Sequence, residues 1–145
     1  MKKFLTMAMA GALATGFSFA AFAHGGGAHN EVSTAHAHAL MAQTAKNTAM
    51  AHAHLQHVIN CLVGPNGAGF DAKAENPCKG QGNGAIPDSA SNQALHGKLE
   101  SALADAQAGL KSDSLASVQQ NAGKVAATLQ DSGSKAHKTA GDSSW

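Results

Sequence analysis

The segment from Asn30 to Pro65, NEVSTAHAHALMAQTAKNTAMAHAHLQHVINCLVGP, constrains this chain more than any other. It contains no proline or glycine before its last two residues, and it is rich in alanine, so it reads as helix. Asn30 is a suitable N-cap, and Glu31 falls in the first turn, where a negative charge suits the helix dipole. Gly64 and Pro65 end it in the order typical of helix C-termini. At about 100° per residue, Ala37, Leu40, Met41, Thr44, Thr48, Ala51, Leu55, Val58, Ile59 and Leu62 fall on one face, which is the expected buried face. The middle of this face, Thr44 to Thr48, is weakly apolar, which leaves room for a break near Asn47, but neither Gly nor Pro supports one. The reading is one helix over 31–63, roughly 50 Å long at 1.5 Å per residue if unbroken.

This helix carries five of the nine histidines and one of the two cysteines. The second cysteine, Cys78, lies in GPNGAGFDAKAENPCKGQGNGAIP, residues 64–87, where Gly, Asn and Pro exclude regular structure. A loop of this length inside a small domain needs an anchor. A Cys61–Cys78 disulfide supplies one, contributing about 3 kcal/mol on the chain-entropy estimate. Phe70 is expected to anchor the same loop in the core.

The pairing requires an oxidising compartment, and the first residues are consistent with one. MKKFLTMAMAGALATGFSFAAFA has Lys2 and Lys3, then an apolar stretch, then Ala21-Phe22-Ala23 as a small-x-small cleavage site. Residues 1–23 are expected to be a signal peptide, leaving a periplasmic or secreted chain that begins at His24, with no membrane attachment after cleavage. Without Lys2 and Lys3, eight lysines face nine acids, and no arginine is present. Such a surface has no electrostatic footprint for nucleic acid. Phe70 and Trp145 are the only aromatics after residue 23, which argues against stacking platforms for bases or sugars.

After residue 23, Leu, Ile, Val and Phe number 17, enough for one small core. Asp88 is expected to cap a second helix, on which Leu95, Leu99, Ala102, Leu103, Ala106 and Leu110 repeat at three- and four-residue spacing. A turn near Ser112 and Asp113 leads to a third, with Leu115, Val118, Ala122, Val125, Ala126 and Leu129, ending at Asp131-Ser132-Gly133. The expected fold is all-α, an antiparallel three-helix bundle of one long and two shorter helices with a disulfide-pinned loop. Its parts are a flexible arm at 24–30, a helical domain at 31–133 and a disordered tail at 134–145. Alanine-rich faces of this kind also suit pairing with a second copy or another exported protein.

Histidine is a common ligand for Cu, Zn and Ni. Residues two apart point to different sides of a helix, so His36 cannot share an ion with His38, nor His52 with His54. His54 and His57 are three apart on one flank. His96, at the edge of the second helix's apolar face, is the expected third ligand. His52, His36, His38 and His24 are weaker candidates, the last through its α-amino group and ring. A haem between facing helices is a further alternative, although no C-x-x-C-H attachment motif is present. No constellation of nucleophile, base and acid is evident, so no enzyme activity is expected. The functional expectation is a metal buffer or carrier. The alternative is a structural or protein-interaction module whose histidines hold no metal.

Overall fold

The computed structural model of the protein describes residues 27–139. The expected signal peptide, His24 and residues 140–145 lie outside the described residues. Every regular element among the described residues is helical: α1 Gly27–Gln43, α2 Thr48–Val63, α3 Ala85–Asp88, α4 Gln93–Leu110 and α5 Leu115–Thr139. The four longer helices form a ring in which α1 packs on α2 and α5, and α4 packs on the same two.

The single helix expected over 31–63 is two helices. Asn47 adopts an extended backbone, φ −150° and ψ 162°, and its side chain accepts a hydrogen bond from the Met50 amide at 2.8 Å. A side-chain N-cap thus starts α2 where no Gly or Pro stands. The chain turns over residues 44–47, and α1 folds back along α2.

The break resets the helical phase. Extrapolating the α2 face backwards selects Ala37, Leu40, Met41 and Thr44, yet all four are exposed. α1 buries Val32, Ala35, Ala39 and Ala42 instead. Alanine is short enough to let neighbouring helices approach closely, so the α1 contribution to the core is mostly methyl groups. On the other elements Leu55, Val58, Ile59 and Leu62 meet Leu99, Val118, Val125 and Leu129 in one cluster, with Phe70 packed against it.

Further boundaries differ from expectation. α1 begins at Gly27, so residues 27–30 belong to the helix, and Asn30 is an exposed helical residue. Asp88 closes the short α3, and Asn92 caps α4 by accepting from the Leu95 amide at 3.1 Å. α5 passes through Gly133 to Thr139, so the tail's first residues are helical.

The loop after α2 is fastened at several points. Cys61 and Cys78 form the expected disulfide, with Cα atoms 5.2 Å apart. Buried Asn60 donates to the carbonyls of Asp71 and Glu75, each at 3.1 Å, and accepts from the Asp71 amide at 2.9 Å. The Glu31 carboxylate accepts from the Gly84 amide at 2.8 Å, and the Thr34 hydroxyl donates to Gln81 at 3.1 Å. Gly64 and Gly84 pass so closely that a Cβ on Gly84 would stand 2.6 Å from the Gly64 nitrogen, and both have positive φ. Only glycine fits both requirements.

Candidate metal centre

The fold-back of α1 decides which histidines meet. On one straight helix, His38 and His54 would stand about 24 Å apart along the axis. In the hairpin they face each other. His38 Nδ1 lies 3.3 Å from His54 Nδ1 and 3.3 Å from His57 Nδ1. Ligand nitrogens of the three rings all lie within 4.8 Å of one another.

The rings are tilted rather than stacked. Their centroids are 4.9 to 5.7 Å apart, with interplanar angles of 43°, 80° and 89°. Two nitrogens bound to one tetrahedral ion at ~2.0–2.1 Å stand about 3.3 Å apart, so the observed spacing suits an ion between them. Hydrogen bonding alone satisfies the cluster poorly. A neutral imidazole nitrogen carries either one hydrogen or one lone pair, so His38 Nδ1 can serve only one of its two neighbours well. A cation accepts all three lone pairs.

Electrostatics prepare the same state. Burial lowers the pKa of His38, and the neighbouring His57 and His54 lower it further, against an opposing pull from Glu75. Burial also lowers His57, again with His54 adding and Glu75 opposing. A depressed pKa leaves the ring neutral, which is the form a metal needs. Glu75 belongs to the loop that Asn60 ties to α2, and its carboxylate is the acidic group that both rings sense.

No family model, curated protein or solved structure matches the chain. Geometry therefore carries the functional argument alone.

Of the expected ligands, His54 and His57 come together as their spacing implies, but His96 does not join them. Its Nδ1 lies 3.0 Å from the Ile86 carbonyl and 3.2 Å from the Ser89 hydroxyl, and its Nε2 lies 3.4 Å from Glu100. The ring faces α3, whereas His57 faces α1. The third position falls to His38. His52 is engaged elsewhere, donating from Nε2 to the Ser112 carbonyl at 3.0 Å. His36 lies outside the cluster. Sequence reasoning underrated His38 because it kept the helix straight. The signal was present in the repeat of Ala35-His36-Ala37-His38 as Ala51-His52-Ala53-His54, from which the turn before α2 brings His38 to His54.

Proposed function

We propose that this protein is an exported metal-binding protein, a buffer or carrier rather than an enzyme, whose ion is held by His38, His54 and His57. The observation that carries this reading is the convergence of three Nδ1 atoms from two helices, with 3.3 Å between His38 and each partner. The ligand set is imidazole, which suits Cu, Zn and Ni and disfavours Ca and Mg.

The supporting structure is rigid where the ligands need it. The Cys61–Cys78 disulfide and the Asn60 hydrogen bonds fix the end of α2 just beyond His57. Fixed ligands bind more tightly because less conformational entropy is lost on binding. Three protein ligands leave a fourth position for water, for a carboxylate such as Glu75, or for a group on a receiving partner. Such an open position suits exchange of the ion.

Haem fits less well than an ion. Three rings tilted against one another at this spacing do not present the two opposed faces that a porphyrin requires. The apolar groove of about 490 Å³, lined by Val63, Ile86, Pro87 and Leu103 among others, includes none of the three histidines.

The test is metal content and titration. Protein purified from the exporting cell, and the same protein stripped and reloaded, should bind one Cu, Zn or Ni ion per chain. The triple variant H38A/H54A/H57A should bind none at the same concentrations. An empty parent protein that also rejects added metal would instead favour the structural or interaction module.

A further inference from the structure

The large apolar side chains left exposed among the described residues are Leu40, Met41 and Met50, at 43%, 47% and 47%. All three lie on the α1–α2 hairpin, and two of them are methionines. The chain has five methionines, and the other three are Met1, Met7 and Met9, within the expected signal peptide. Every methionine beyond that segment is therefore on this hairpin.

Their positions relative to the histidines are specific. Met50 precedes His54 by four residues and Met41 follows His38 by three, so each lies one turn away on the same flank of its helix. Because the two helices run antiparallel, both methionines fall on the same side of the cluster, toward the turn at 44–47. The opposite side is closed. There Thr34 bonds Gln81, and Asn60 holds the loop at Asp71 and Glu75. The hairpin groove is thus covered by the pinned loop at one end and edged by thioethers at the other.

A buried core does not explain these side chains, because half of each is in solvent. Thioethers are soft ligands that select Cu(I) and have little affinity for Zn(II), and they do not lose their lone pairs to protons. We propose that Met41 and Met50 form a thioether mouth to the histidine cluster and that its cargo is copper(I). The ion enters on one or two sulfurs and passes to His38, His54 and His57 without a change of oxidation state. A receiving partner takes it back by the same mouth. This inference rests on the metal-carrier reading and names the ion that it serves.

The test compares two metals in one variant. M41L/M50L keeps side-chain volume at two exposed positions, so its far-ultraviolet circular dichroism and melting temperature should match the parent. Competition against a coloured Cu(I) chelator under anaerobic, reducing conditions gives the Cu(I) affinity, and a fluorescent zinc chelator gives the Zn(II) affinity. The variant should lose about tenfold or more in Cu(I) affinity while Zn(II) affinity stays unchanged. In parallel, the ¹³C-methyl resonances of Met41 and Met50 should shift with one equivalent of Ag(I), a redox-inert stand-in for Cu(I), and stay in place with Zn(II). Unchanged Cu(I) affinity with unshifted methyl resonances would overturn the thioether mouth while leaving the histidine site standing. Equal loss for both metals would assign the methionines a structural role. A parent that binds neither ion would remove the carrier reading itself.

Discussion

Replacing Glu31 by glutamine should make the protein more stable at pH 8 and leave it nearly unchanged at pH 5. Glu31 is 1% exposed. One carboxylate oxygen accepts from Gly84, and the other, Oε2, is buried without a hydrogen-bond partner. Burial pushes its pKa up to about 7 from an ordinary 4.5, with Asp88 adding to the rise and the Gly84 amide opposing it. Between these values the folded protein holds a proton that the unfolded chain has lost, so stability falls as pH rises through this window. Above it, the cost of the buried charge is on the order of 3 kcal/mol. Glutamine keeps the acceptor for Gly84 and carries no charge, so it removes the pH-dependent part. Urea unfolding of parent and variant at several pH values, with a chelator present, reads the difference directly. Titrating groups remote from residue 31 contribute equally to both proteins and cancel. The variant should gain about 2–3 kcal/mol relative to the parent on going from pH 5 to pH 8. A difference independent of pH would refute the reasoning.

Other outcomes follow from the same contacts. C78S should lose about 3 kcal/mol of stability, measured by denaturant unfolding without reductant, and loosen the loop, which Asn60 still holds to α2. Zinc binding should weaken as pH falls, but with a midpoint below that of a free histidine, because burial and neighbouring rings depress His38 and His57; affinities measured from pH 5 to pH 8 check this. H96A should leave metal affinity unchanged, since that ring contacts Ile86, Ser89 and Glu100 instead; calorimetry with zinc tests it. Intact-mass measurement of the exported protein should give a chain beginning at His24, and a mass that still includes residues 1–23 would mean an uncleaved anchor.

Much of the architecture was legible in the residues. The cores of α4 and α5 follow from leucine, valine and alanine at three- and four-residue spacing, and two cysteines leave one intramolecular pairing. The α1–α2 turn was not legible from breakers, because its marker is a single polar residue. Asn47 acts through its side-chain cap, a role that Asn92 shares at the start of α4 but Asn30, inside α1, does not, so the residue type alone does not mark the turn. The phase of α1 was hidden for a related reason. Alanine occurs on every side of that helix, so burial of Ala35, Ala39 and Ala42 rather than Ala37 is decided by the partner helices. The loop's second fastening, Asn60, was likewise not legible, since an asparagine near a helix end does not announce three hydrogen bonds to a loop.

The candidate site divides along the same line. His54 and His57 share a flank by helical spacing, a local property that the sequence carries. His38 joins them only through the turn, a tertiary property. Once α2 turns this flank to α1, its histidines face His38 and not α4, where His96 lies.

Long-range ¹H–¹⁵N correlation of the histidine rings, recorded on the stripped protein and after one equivalent of Zn(II), tests the central claim most directly. The account predicts that ring-nitrogen resonances of His38, His54 and His57 move together and saturate at one ion per chain, while those of His52 and His96 stay in place. Resonances of the three that do not respond, or a response centred on other histidines, would contradict it.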